Sequence, residues 1–290
     1  MSKISKTICI SVLFINLLYS SALCASKDDF IQKLKNLKWV AYSPTSFNPE
    51  SADCPLEESI AEDLLVLYRY GFRGIVSYGA YKTLGQIPRI AKEIGFEGII
   101  MGIWDISSQE EIMNAIEAGE FVDGYCLGNE GLNKRYGLES LKEAIYSMKE
   151  STGKPATTTE EIEDYYNNYL DLVNVGDWVF PNVHPFVSKI KDPGRGVKWV
   201  GKHYQLLKKR ASPDKIILIK ETGFPTKGAP GASESNQKVF FLNLEAIEIP
   251  FVFFEAFDQL WKTVNSVESH WGLFDHRRKP KKFIASQKNS

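Results

Sequence analysis

Gly98-Ile-Ile-Met-Gly-Ile103, Ser108-Gln-Glu-Glu-Ile-Met-Asn-Ala-Ile-Glu-Ala118 and Val122-Asp-Gly-Tyr-Cys-Leu127 follow one another in the chain and decide its fold. The first and third are short, largely apolar runs of the kind that forms strands. The second repeats its apolar side chains at helical spacing. Strand, helix and strand in that order predict a parallel pair joined by a crossover helix, and the unit recurs in both directions along the chain. Further strands are expected over Trp39–Ser43, Arg73–Ser77, Pro155–Thr158, Trp178–Val183, Lys215–Lys220 and Phe251–Glu255, with strand starts 23 to 37 residues apart. Helical periodicity fills the intervals at Leu56–Tyr70, Leu84–Ile94, Leu138–Lys149, Glu160–Leu172, Val197–Lys209 and Glu234–Glu248. Eight such repeats without a Gly/Ser-rich or Pro-rich linker predict an α/β fold closed as a (β/α)8 TIM barrel, one domain over residues 26–290.

The 290 residues are 43% hydrophobic and 24% charged, enough apolar content for a sizeable core. A formal charge of −1 excludes the basic footprint that binding a phosphate backbone requires, so no nucleic-acid partner is expected. Residues 1–25 read as a signal peptide: Lys3 and Lys6 precede an apolar run from Ile8 to Tyr19, and small residues follow it. The run is short for a membrane span, which predicts a secreted or periplasmic chain, expected to be a monomer. Cys24 could carry a lipid, but the bulky Leu23 before it argues against an anchor. Cys54 and Cys126 are the cysteines of the expected mature body. Two cysteines are too few for a zinc set, and both are read as unpaired thiols.

In such a barrel the chemistry sits where strands end and the following loops begin. The first strand is followed by Pro44-Thr45-Ser46-Phe47-Asn48, which has no glycine spacing for a dinucleotide or phosphate. The fourth and seventh expected strands run into Leu127-Gly128-Asn129-Glu130 and Lys220-Glu221-Thr222-Gly223-Phe224-Pro225. These strands lie nearly opposite one another in a closed barrel, so Glu130 and Glu221 can face each other across its mouth. Two facing carboxylates suit glycoside hydrolysis, in which one protonates the leaving oxygen and the other attacks or stabilises the anomeric carbon. Either could instead be an ordinary solvated charge. Tyr42, Tyr78, Trp104, Phe186, Phe224, Trp261 and Trp271 also fall at or beyond strand ends, as stacking platforms for sugar rings or as core. His184 follows the sixth expected strand and reads as a hydrogen-bond partner that orients a carboxylate. With four histidines, no His-x-x-x-His pair and no Gly-x-Ser-x-Gly elbow, neither a metal centre nor a serine triad is expected, and no cofactor is called for.

At these residues the sequence resembles glycoside hydrolase family 17, the β-1,3-glucanases and β-1,3-glucan glucosyltransferases. Gly128-Asn129-Glu130 is similar to the family's acid/base motif and Glu221-Thr222-Gly223-Phe224-Pro225 to its nucleophile motif. Phe254-Glu255-Ala256-Phe257-Asp258-Gln259-Leu260-Trp261-Lys262 and Glu268-Ser269-His270-Trp271-Gly272-Leu273-Phe274 resemble its closing signature, in wording nearer to bacterial members than to plant ones. The resemblance implies a retaining hydrolase of β-1,3-glucan or a related β-glucan. Glu130 would be its acid/base, Glu221 its nucleophile, and Asn129 a contact to the sugar 2-hydroxyl. It places Lys262 and Glu268 near the reaction centre and Asp258 in the C-terminal motif. Tyr42, Tyr78, His184, Phe224, Glu255 and Trp261 complete the expected substrate-binding set. His184 stands where many members have Tyr, and Phe224 where they have Trp. Transglycosylation by the same two carboxylates, or a barrel that binds carbohydrate without catalysis, are the alternative readings.

Overall fold

The computed structural model describes residues 28–51, 54–168 and 171–287. The expected signal segment lies outside them. Seven parallel strands form one sheet: β1 (Trp39–Ala41), β2 (Gly74–Val76), β3 (Gly98–Ile103), β4 (Gly124–Leu127), β5 (Ala156–Thr157), β6 (Ile219–Thr222) and β7 (Phe251–Phe253). Their order is β5-β4-β3-β2-β1-β7-β6. Residues of the sixth expected strand, Trp178–Val183, close the gap between β5 and β6. Asn182 pairs in parallel with Glu161 on one side and with Glu221 on the other, and Val179 pairs with Ile217. Pro181 has no N–H to give, so this eighth strand is held by separate bridges rather than a continuous ladder. Its carbonyl still accepts the Lys220 amide at 2.9 Å. The architecture is therefore the expected (β/α)8 barrel.

The helices on the outer face follow from capping and periodicity. They are α1 (residues 28–36), α2 (Glu57–Arg69), α3 (Ile87–Ile94), α4 (Gln109–Glu117), α5 (Leu138–Thr152), α6 (Leu172–Val175), α7 (Pro193–Arg210), α8 (Glu234–Glu245) and α9 (Lys282–Gln287). Ser108, Asp192 and Ser233 accept the first free amides of α4, α7 and α8, each cap contributing about 1 kcal/mol. Pro193 opens α7, and Lys208, Lys209 and Arg210 close it against the negative end of the helix dipole. Every residue of β3 is buried, which is why its run is apolar on both faces.

Trp39 seals the bottom of the barrel. It pairs in register with Gly74, which pairs with Gly98, and a Cβ on either glycine would fall 2.3 or 2.6 Å from the indole. The indole therefore lies across two strand starts that carry no side chain, and its Nε1–H donates to the Lys33 carbonyl.

One expected element forms only in part. Of the expected helix Glu160–Leu172, the first residues continue the line of β5, Asp164–Asn168 form a short π-helical stretch, and α-helix is described only from Leu172 to Val175. The reason is Glu160, whose carboxylate is buried and bonded to the neighbouring loop instead of pointing to solvent at a helix start. Ile162 then donates its amide to Asn182 and stays in the barrel wall.

Candidate active site

A cavity of about 610 Å³ opens at the carboxyl ends of the strands and is lined by Tyr42, Tyr78, Trp104, Asn129, Glu130, His184, Glu221, Trp261 and Lys262, among others. The loop after β4 makes a tight reversal. Gly128 has φ +73°, and a Cβ there would meet the Tyr136 hydroxyl at 2.0 Å, so only glycine fits. Glu130 itself is left-handed at φ +51°, a conformation that costs a non-glycine residue on the order of 1 kcal/mol and is held by its surroundings. Its amide donates to Thr159 at 3.0 Å. From beneath, Glu160 accepts the amides of Gly131 (3.3 Å) and Leu132 (3.5 Å) and the Tyr136 hydroxyl (3.1 Å). Burial pushes the Glu160 carboxyl up to about 7, against these donors.

Glu130 and Glu221 are held by neighbours on one extended segment. Asn182 Nδ2 donates to Glu130 Oε1 at 2.7 Å, and His184 Nε2 lies 3.2 Å from Glu221 Oε2. Residues two apart on an extended chain sit on the same face roughly 6–7 Å apart, so one stretch of backbone spaces the two carboxyls. The His184 Nδ1 is buried without a hydrogen-bond partner. The Nε2 position is placed to donate a proton to Glu221. Lys220 Nζ donates to Glu221 Oε1 at 2.7 Å and also to Asn129 Oδ1.

These surroundings split the two carboxyls. Burial, then the charge of Glu221, raises Glu130 above its ordinary value, although Asn182, His184 and Lys220 oppose the rise. Burial alone would raise Glu221 as well. The Lys220 ammonium and His184 instead hold it well below the usual carboxylate range. Glu130 is thereby the group that holds its proton more tightly and Glu221 the one that gives it up more readily, the division of labour that acid-assisted nucleophilic displacement needs.

The other expected residues fall into two groups. Tyr78 lies beside the pair, with Lys220 over its ring at 4.3 Å. Its hydroxyl stays protonated because burial and the charges of Glu221, Glu255 and Glu130 raise it. Lys262 lines the cavity and binds Glu255 at 2.8 and 3.0 Å, while Glu255, pushed up by burial to about 7, is fully enclosed behind it. Trp261 stands at the rim, its Nε1–H on Gln259 and its ring edge-on to Phe47. Glu268 also lines the cavity. Tyr42 presents its ring there, but its hydroxyl turns away to Asp63 at 3.0 Å.

Besides Glu255, two more expected residues are not brought to the cavity lining. Phe224 is buried between Phe186 and Phe240, and Gln237 donates to its backbone carbonyl. Asp258 is buried against Lys281 at 2.6 Å and the Gly272 amide, bracing the closing motif. Trp271 is 1% exposed and packs on His184, Phe254 and Phe186, so most of its ring belongs to the core.

Asn182, Glu160 and Lys220 were not singled out from sequence. The Asn182 and Glu160 amide and carboxyl carry no local signal, whereas a lysine closing the apolar run Ile216-Ile-Leu-Ile219 is a visible one. Trp104 is 46% exposed at the mouth with the Arg135 guanidinium stacked on it at 4.2 Å. Cys54 and Cys126 are both free thiols. Among the described residues no group of three or more His, Cys, Asp or Glu could hold a metal ion, and no helix is long and apolar enough to cross a membrane.

Residues 40–272, nearly the whole barrel, match the BtgE/BtgC glycoside hydrolase domain. The chain belongs to that family. It is 28% identical over 266 residues to the cell surface mannoprotein MP65 of Candida albicans, covering 82% of this chain and 67% of that protein. It is 22% identical over 258 residues to the probable family 17 glucosidase SCW10 of Saccharomyces cerevisiae, covering 81% and 64%. A probable glucan endo-1,3-beta-glucosidase, btgC of Aspergillus terreus, is 28% identical over 202 residues, 58% of this chain and 30% of that one. These relatives are fungal. Among solved structures, an endo-laminarinase from Formosa superposes with a TM-score of 0.69 at 16% identity, over 86% of each chain. The Cryptomeria japonica pollen β-1,3-glucanase CJP38 gives 0.67 at 16%, over 84% of this chain and 97% of that one. Both share the barrel fold.

Proposed function

We propose that this member of the glycoside hydrolase family cleaves β-1,3-glucan, or a related β-glucan, with retention of configuration. The observation that carries the reading is the opposite tuning of two carboxyls on one cavity. Glu221, kept ionised by Lys220 and His184, attacks the anomeric carbon while Glu130 gives its proton to the departing oxygen. Glu130, now a carboxylate, then takes a proton from the incoming water or sugar hydroxyl, which displaces Glu221 and restores the starting state. Asn129 has its carbonyl oxygen occupied by Lys220, which leaves the amide N–H2 free to donate to the sugar 2-hydroxyl. Trp261 and Tyr78 supply apolar faces for sugar rings, and Lys262 a charged donor.

The names of the fungal and plant glucanase relatives support the choice of glucan. Residues 26–290 are read as one catalytic unit, secreted or periplasmic after removal of residues 1–25 and acting as a monomer. The Glu255–Lys262 wording is the one argument for a bacterial-type member, and the fungal relatives do not support it. Glu221→Ala should abolish glucan cleavage while the chain stays folded, and azide or formate should restore partial turnover with inverted anomeric configuration. Undiminished activity in that variant would remove Glu221 from the mechanism. Product analysis on laminari-oligosaccharides separates hydrolysis, which gives only shorter products, from transfer, which also gives longer ones.

A further inference from the structure

Lys220 and Glu221 are consecutive in a strand, where neighbours ordinarily point to opposite faces of the sheet. Here they do not. Between β6 and β7 the register runs from Ile219 opposite Phe251 to Thr222 opposite Phe253, so β6 carries one extra residue across that interval. Such an insertion breaks the alternation locally and re-aims side chains. It turns both Lys220 and Glu221 into the barrel. Lys220 is only 1% exposed, yet its ammonium has company: Glu221 Oε1 at 2.7 Å, Asn129 Oδ1, and the Tyr78 ring at 4.3 Å. Other ionisable groups near it are the Cys126 thiol on β4 and Glu130 on the loop after β4, while His184 on the closing segment and Glu255 after β7 act on the same Glu221. A buried ammonium without a counter-charge would be expensive. Glu221 is the one carboxylate it touches.

We propose that Lys220 is the positioning residue of the nucleophile, a buried cation that fixes Glu221 and Asn129 together and shortens the life of the glycosyl-enzyme. The inference rests on Glu221 being the nucleophile. When a Glu221 oxygen bonds to the anomeric carbon, the glycosidic C–O bond breaks, its electron pair leaves with the departing oxygen, and Glu130 protonates that oxygen. Glu221 becomes a neutral ester. Lys220 has then lost its partner, and the nearest negative charge has moved to Glu130. In the second step the incoming oxygen gives its proton to Glu130 and the ester bond breaks, returning the electron pair to Glu221. The ammonium is again paired. Its charge therefore favours release of the sugar over retention of the ester, and the shared grip on Asn129 ties the attacking oxygen to the group that meets the 2-hydroxyl.

The test uses the full chain with Lys220→Met, Lys220→Gln and Lys220→Arg. An activated 2-deoxy-2-fluoro-β-laminaribioside traps the ester, and intact mass follows its decay. Wild-type decay should be slowed at least about tenfold by Met or Gln, and the acid limb of kcat/KM should move up by about one pH unit, a tenfold change in proton affinity. Arg, which keeps the charge, should restore both. Folded Met or Gln variants with an unchanged acid limb and decay rate would overturn the role, and so would an Arg variant as impaired as Met. Should the Met chain not fold, Gln and Arg carry the same comparison. Azide rescue of Glu221→Ala is scored separately: its failure sinks the nucleophile assignment, whereas rescue combined with silent Lys220 variants sinks only this inference.

Discussion

Replacing Glu160 by Gln should change how the stability of the chain depends on pH, because this carboxyl sits beneath the loop that carries Glu130. Burial raises Glu160 from 4.5 to about 7, against the Tyr136 hydroxyl and the amides of Gly131 and Leu132. Each unit corresponds to about 1.4 kcal/mol of difference between folded and unfolded chains, so the shift is worth about 3 kcal/mol. The folded chain holds this proton more tightly than the unfolded one. Its stabilising contribution is therefore complete below about pH 4.5 and is lost as pH rises through about 7. Gln keeps a carbonyl acceptor for the same donors and cannot titrate. Urea unfolding of both proteins at pH 4.5 and pH 8 should show the wild type losing about 3 kcal/mol relative to Glu160→Gln. Glu255, also raised to about 7, is common to both and cancels in the difference. Parallel stability curves for the two proteins would refute the reasoning.

Glucan cleavage should follow a bell-shaped pH profile, and Glu130→Gln should remove its basic limb while sparing aryl glucosides with good leaving groups more than glucan. Equal losses on both substrates would deny Glu130 the acid role. Trp261→Ala should weaken laminari-oligosaccharide binding with little change in thermal midpoint, whereas Trp271→Ala should cost about 3–5 kcal/mol of stability because its ring is packed on His184, Phe254 and Phe186. Calorimetric unfolding and titration on the same samples check both, and the reverse pattern would exchange their assignments.

The barrel was legible because its signal is repetitive: each buried strand reads as an apolar run and each outer helix as a stripe. Trp178–Val183 was found this way despite Pro181, since burial of the segment survives the loss of one donor. The start of Glu160–Leu172 was misread because polar residues at helical spacing say nothing about a carboxylate drawn inward by amides from another loop. The same limit hid Asn182, an ordinary amide in sequence whose importance comes from facing Glu130 across 52 positions. Phe224 and Asp258 lie within matched motifs, but a motif records neighbours along the chain. It does not record that the Phe224 ring packs between Phe186 and Phe240, or that Asp258 turns to Lys281. Lys220 was visible as an oddity in an apolar run, and only the extra residue in β6 explains where its charge goes.

The segment from Asn182 to His184 acts as a ruler made of backbone. It is hydrogen-bonded into the barrel wall on both sides, through Asn182 to Glu160 and through Val183 to Glu221, so apart from the short β4 loop that carries Glu130, the gap it sets between the two carboxyls does not depend on the loops around the mouth. Those loops can lengthen, shorten or exchange aromatic residues, altering which sugar chain is accepted and where it is cut. The anomeric outcome would stay the same throughout, because stereochemistry is written into the wall of the barrel and substrate choice into its rim.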